Sequence, residues 1–259
     1  MRLIAFACIL TWLSATASAQ AASDPFHKGV TAYESGDFSK AESNFNAAAQ
    51  IQPASGTFVN QGLAEWRRGR VGPAVTAWER ALWLSPREAT ARNNLRYARH
   101  WAELPEPELT WYEAVSTWLP SNTWAVLAGT SLWLAVALMA LPGLMRWRRA
   151  TWQQALAAAS LGVFLLCVPA HLGIMTRARL GFILDRRANL QLTPTSDAER
   201  LATLAAGEPV RKVRVQGDYL LVRTQHGIGW VPQEQVGLIA SDLADPSASK
   251  RSPVAKSNL

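Results

Sequence analysis

The sequence predicts a multidomain protein: an all-α helical repeat, a two-helix transmembrane hairpin and a small all-β barrel, in that order. Three observations carry this reading. Residues 24–86 repeat with an offset of 33. Two later runs, Trp124–Met145 and Ala155–Met175, hold no Asp, Glu, Lys or Arg, and each meets the need of a spanning helix for about 20 apolar residues. From Gly181 onward, short apolar alternations of period two are separated by turn clusters.

The first 19 residues read as a secretory signal peptide. Arg2 supplies the positive start, Leu3–Leu13 the apolar stretch and Ala17-Ser18-Ala19 the cleavage site. That stretch is too short to cross a hydrocarbon core of about 30 Å, so cleavage is expected over an uncleaved anchor. Cys8 leaves with the leader and Cys167 lies in the second apolar run, so no internal disulfide is expected.

Residues 22–104 form the repeat with a closing helix. Gly29 matches Gly62, Gly36 matches Gly69, Ala41 matches Ala74, Phe45 matches Trp78, Ala48 matches Ala81 and Pro53 matches Pro86. Small residues recur where two helices cross closely, aromatic residues where the second helix fills the gap, and proline where the unit ends. This pattern resembles the tetratricopeptide repeat (TPR). Its early aromatic position holds Pro25 in the first unit and Phe58 in the second, and there are two full units. Residues 88–103, with Ala89, Leu95 and Ala98 at helical spacing, supply the closing helix.

The resemblance implies a concave face. By register it includes Val30, Tyr33, Val59, Leu63, Trp66 and Arg67, with Arg92, Arg96 and Arg99 from the closing helix. Two readings of this face stand side by side. It is a groove for an acidic or extended peptide, or it lies against residues 105–120, which carry Glu106, Glu108 and Glu113 and no Lys or Arg. In that segment Leu109, Trp111, Val115, Trp118 and Leu119 fall mainly on one helical face. It is expected to lie in the membrane interface with its glutamates in water.

The hairpin comprises spans 123–145 and 154–175 joined by a cytoplasmic turn, 146–153. The turn carries Arg146, Arg148 and Arg149, as the positive-inside rule asks. Trp118 and Trp124 mark one interface, Trp147 and Trp152 the other. Arg177, Arg179, Arg186 and Arg187 follow the second span and run against the rule. His171 sits near the outer end of its span, either as an interface anchor or as a proton-handling group. The net charge of +7 therefore belongs with a lipid bilayer and not with nucleic acid, since no long Lys/Arg run exists.

In residues 180–240 the expected strands include Phe182–Leu184, Leu190–Leu192, Val210–Val215 and Tyr219–Val222. This domain resembles the bacterial SH3-like barrel in Leu190-Gln191-Leu192-Thr193-Pro194, Leu204…Gly207…Val210, Gly217-Asp218-Tyr219-Leu220-Leu221-Val222 and Gly227-Ile228-Gly229-Trp230-Val231-Pro232. The family's Arg-x-Gly-Pro before the second turn is absent. Tyr219 and Trp230 are the candidates for a binding patch, or are barrel core. Residues 241–259 are polar, with two prolines, and read as a disordered tail.

Taken together, leader, short repeat, two spans and terminal barrel resemble the small BatE-like membrane proteins of bacterial aerotolerance operons. The helix Asn93-Asn94-Leu95-Arg96-Tyr97-Ala98-Arg99 is part of that likeness. The resemblance implies an inner-membrane protein with both modules in the periplasm. It also implies von Willebrand A-type membrane proteins and a MoxR-type ATPase system as partners, in stress tolerance or envelope maturation. The expected role is a non-catalytic scaffold. Cell-wall binding by the barrel is the alternative. A cell-envelope enzyme is least expected, because no nucleophile–base pair, Gly-rich phosphate loop or short-spaced set of the four histidines appears. No catalytic, cofactor-binding or metal-ligating residues are expected. The candidate partner-binding residues are Tyr33, Trp66, Arg67, Arg92, Arg96, Arg99, Tyr219 and Trp230.

Overall fold

The computed structural model describes residues 24–144 and 151–240. The expected leader, Arg146, Arg148 and Arg149 of the expected turn, and residues 241–259 lie outside these. Among the described residues, eight α-helices and one seven-stranded antiparallel sheet make up two compact units.

One unit holds the helical repeat and the sheet. Its helices are α1 (24–34), α2 (Phe38–Ile51), α3 (Ser55–Arg67), α4 (Val71–Leu84) and α5 (Ala89–Trp101). Gly36 and Gly69, at φ +82° and +72°, make the turn inside each helix pair, a backbone region that side chains disfavour. Asp37 then caps α2 by accepting the Lys40 N–H at 3.0 Å.

The matched glycines and aromatics of the two repeats meet each other. A Cβ on Gly29 would stand 2.7 Å from the Phe45 ring, and one on Gly62 would stand 2.4 Å from Trp78 Nε1. Each aromatic of the second helix thus fills the space vacated on the first. Phe45, Trp78, Ala41, Ala74, Ala48 and Ala81 are all buried, and Trp78 Nε1 donates to Val59 O at 3.2 Å.

The sheet follows as β1 (Leu180–Ile183), β2 (Arg187–Gln191), β3 (Arg200–Ala205), β4 (Pro209–Gln216), β5 (Tyr219–Thr224), β6 (Gly227–Pro232) and β7 (Val236–Leu238), in the order β3-β2-β6-β5-β4-β1-β7. β2 starts at Arg187 and ends before Leu192, which is exposed, so the expected strand at Leu190–Leu192 is shifted. Laid flat, the two edges would stand about 29 Å apart at the usual strand spacing. Yet Leu204 of β3 and Val236 and Leu238 of β7 belong to one buried cluster with Ile183, Leu190, Val210, Leu220, Val222 and Val231. The sheet is therefore curled around a single core.

Helix α4 is what the sheet rests on. Gly72, Thr76 and Arg80 recur every four residues along one stripe of it. A Cβ on Gly72 would stand 2.3 Å from Ile183 O, and one on Gly237 would stand 2.7 Å from the Thr76 methyl. Arg80 donates from Nε and Nη2 to Leu238 O at 3.2 and 3.0 Å. The β3–β4 turn adds Gly207, at φ +85°, against Leu104 and Val75.

The second unit contains α6 (Trp111–Ser116), α7 (Ser121–Leu144) and α8 (Thr151–Arg177). Helices α7 and α8 are long and apolar enough to cross a membrane. At 1.5 Å per residue they run about 36 and 40 Å. Only 11% and 22% of their most apolar windows is buried. Trp124, Cys167 and Ala170 form their contact, with Val115, Leu119 and Ile174 packed around it. Trp124 is thus a packing residue, its Nε1 donating to Ser116 O at 3.4 Å, whereas Trp118 is exposed.

Helix α6 lies on α8 at Gly173, where a Cβ would stand 2.2 Å from Tyr112 O. The expectation that all glutamates of this segment stay in water fails at Glu113. Its side chain is fully buried, and Oε2 accepts the Thr110 N–H at 2.9 Å, closing the N-terminus of α6. Arg177 is also buried, with Nη1 3.5 Å from Ser116 Oγ. One of the four arginines that opposed the charge rule is thereby withdrawn into the packing.

Candidate interaction surfaces

Two surfaces in the first unit gather the residues that the sequence singles out. On the helical surface, the Trp66 ring meets Trp78, Tyr97 and Trp101 at centroid distances of 6.0, 5.9 and 5.4 Å. Tyr97 and Trp101, four residues apart on α5, are exposed and extend the aromatic surface beyond Trp66. Sequence reasoning passed over them as interaction candidates. Their i, i+4 spacing was the available signal. Arg67 is exposed, and its Nε donates to the Tyr33 hydroxyl at 3.3 Å. Tyr33 packs edge-on against Phe38.

The three arginines of α5 do not act alike. Arg92 and Arg96 are exposed. Arg99 turns inward and pairs with the buried Glu79 of α4. Its helical register matches the other two, but an acidic partner on the neighbouring helix claims it. Val59, placed on the same face by register, is buried and accepts the Trp78 indole N–H.

Behind this face, Glu65 is buried between Arg68 and Arg70, at 3.2 and 3.4 Å, and Arg68 reaches Glu42 at 3.5 Å. Burial pushes the Glu65 carboxyl above the usual carboxylate range. Arg70 pulls it back, Glu42 adds to the rise and Arg68 opposes it.

The sheet surface lies opposite the core. Leu220 and Val222 point inward, so Tyr219, Leu221 and Arg223 point outward. Leu221 pairs with Trp230, Tyr219 with Pro232, Arg214 with Leu221 and Gln191 with Trp230. Directly opposed residues share a face. Trp230 is therefore on the outer face while its neighbour Val231 is core. It is nonetheless only 6% exposed.

The Arg214 guanidinium stands 5.4 Å from the Trp230 ring centroid, within cation–π range. Gln191 is buried, and its Oε1 has no hydrogen-bond partner among the described residues. Tyr219 is half-buried. The arrangement sets a cation over a largely buried aromatic ring, with Tyr219 on the same outer face.

In the second unit a cleft of about 340 Å³ lies between Leu138 and Met139 of α7 and Gln153, Ala157 and Leu161 of α8. His171 Nδ1 is 3.0 Å from Cys167 O of its own helix. Among the described residues, no group of three His, Cys, Asp or Glu stands where it could hold a metal ion. No protein-family model matches this sequence, and no curated protein matches it.

Proposed function

We propose that this chain is a non-catalytic scaffold of a bacterial inner membrane, presenting a TPR module and an SH3-like module together in the periplasm. The observation that carries this is the docking of the sheet on α4. Arg80 and Leu238 lie 158 positions apart with both apolar helices between them. A single folded unit occupies one side of a membrane, so the segment between its halves returns to the side from which it left. Two spans satisfy that condition, and the leader sets the side as outside. The resemblance to the Bat-operon proteins then points to von Willebrand A-type membrane proteins and a MoxR-type ATPase system as partners, in stress tolerance or envelope maturation.

The test is a topology map of the full chain. Phosphatase reporters placed after residue 104 and after residue 245 should both read outside. A cytoplasmic signal from either site would sink the two-span reading. Capture of partners by the detergent-solubilised chain tests the scaffold role. Replacing Arg92 and Arg96 with Ser should reduce capture and its salt sensitivity, because exposed charges are screened over about 8 Å at physiological ionic strength. Unchanged capture would leave that face idle.

The outer sheet surface favours a second reading, in which the SH3-like module binds cell wall. The exposed Arg214 offers a cation beside Trp230 and Tyr219, a set suited to carboxylate-bearing peptide stems. Cosedimentation with purified peptidoglycan, lost in Tyr219→Ala at unchanged melting temperature, would support it. Absence of cosedimentation would leave the scaffold reading alone.

A further inference from the structure

We propose that α7 packs within the bilayer against α7 of a second copy of this chain, through the face centred on Trp133. This rests on the membrane anchoring proposed above. Trp133 is the thirteenth of the 24 residues of α7, so it lies at mid-span, about 18 Å from either end. Its side chain is 73% exposed, and its indole N–H has no hydrogen-bond partner among the described residues. Tryptophan ordinarily sits at the bilayer edge, where the N–H meets water. At mid-span, lipid tails offer no acceptor, and an unmet donor in hydrocarbon is costly. What covers this face therefore carries an acceptor.

The same face supplies one. Thr130 is exposed, and its hydroxyl donates to Val126 O at 2.7 Å. That leaves the oxygen free to accept, since a hydroxyl has two lone pairs. Helical side chains lean toward the helix N-terminus. The indole of Trp133 therefore leans toward the level of Thr130, about 4.5 Å along the axis. In a two-fold pair of parallel α7 helices, each Trp133 reaches the other copy's Thr130. A surface carrying both donor and acceptor is complementary to itself, as a two-fold interface requires. Gly129, one turn from Trp133, adds no bulk, and a Cβ there would meet nothing within 4 Å. Val126 and Val136, both exposed, complete the face.

The test is oxidative crosslinking of the full chain in its native membrane, with Cys8 and Cys167 replaced by Ala. Single cysteines at Val126 and Ala137 lie on the Trp133 face, and those at Leu127 and Leu134 lie off it. Disulfide-linked dimer should form at least fivefold more at the two face positions. Adding Trp133→Phe, which keeps a ring but removes the donor, should cut that yield at least threefold, and Thr130→Val should do the same. Equal yields at all four positions, crosslinks to a different protein, or a yield indifferent to Trp133→Phe would overturn the proposal. Alkaline carbonate extraction of the same membranes separates the two readings. Release of the chain sinks the membrane anchoring, and this pairing with it. Retention without face-specific dimer sinks the pairing alone.

Discussion

Helices α4 and α7 make an instructive pair. Both are rich in apolar residues, and an apolar helix surface needs cover. In α4 the cover is protein. Ala74, Trp78 and Ala81 are buried in the repeat, Gly72 and Thr76 lie under the sheet, and Glu79 meets Arg99. Among the described residues of α7, Trp124, Ser131 and Ala135 are buried, while Val126, Leu132, Trp133, Leu134, Val136 and Met139 are exposed. Polar atoms separate the two. Glu79 and Arg80 give α4 partners that only folded protein can provide, whereas the hydroxyls of Thr130 and Ser131 bond within α7 itself. The environment of an apolar helix is thus decided by its few polar side chains.

The largest effect that would break this contrast lies in its two tryptophans. Trp78→Ala should destabilise the full chain by about 3–5 kcal/mol, the usual cost of emptying a buried aromatic site. Trp133→Ala should leave the melting of the first unit unchanged. Thermal unfolding in detergent, followed by circular dichroism, measures both. Equal losses would mean that α7 is covered as α4 is.

Glycine substitutions come next. Gly72→Val drives a Cβ into Ile183 O and should cost about 1–3 kcal/mol, as overpacking does. Gly162→Val on α8 has open space around it and should cost under about 0.5 kcal/mol. A Gly72→Val chain that melts like the parent would show that the sheet does not dock on α4 in solution.

Removing the guanidinium over Trp230 is a smaller change. Arg214→Ala should lower the melting midpoint by the equivalent of about 1 kcal/mol and raise indole accessibility to iodide quenching. No change in either would disconnect Arg214 from the ring.

The smallest effect concerns pH. With Glu65 titrating above the usual carboxylate range, the folded chain holds this proton at pH values where the unfolded chain has lost it. Its contribution to stability is greatest below the unfolded value and declines as pH rises through the folded one. Glu65→Gln abolishes that titration. Denaturant midpoints of parent and variant should therefore shift in the variant's favour as pH rises from 4 to 7. A gap that is constant with pH would mean that Glu65 titrates as an ordinary exposed carboxylate.

Much of this architecture is legible in the chain because it is local. The offset of 33 places Gly29 against Phe45 and Gly62 against Trp78, since matched positions in consecutive helix pairs repeat one crossing. The two apolar runs mark α7 and α8 by length alone. Period two identifies β4 and β5, while the face of Trp230 is settled only by its pairing with Leu221 and Gln191. Other features leave no such trace. Most of β3 is exposed or half-buried, with only Leu204 buried, and β7 has three residues, so neither announces a strand. Arg92, Arg96 and Arg99 share a register, and nothing nearby says that Glu79 will draw one of them inward. Glu113 looks like a solvated charge until its own helix needs a cap.

The sequence by itself determined the order and kind of the segments, because each depends on a period or a run that neighbours along the chain supply. Tertiary structure decided which polar side chains are spoken for and that the repeat and the sheet fold as one unit. Those outcomes depend on contacts such as Arg80 with the Leu238 carbonyl. Any arginine near a helix end could serve such a carbonyl, and only the close approach allowed by Gly72 and Gly237 selects this one.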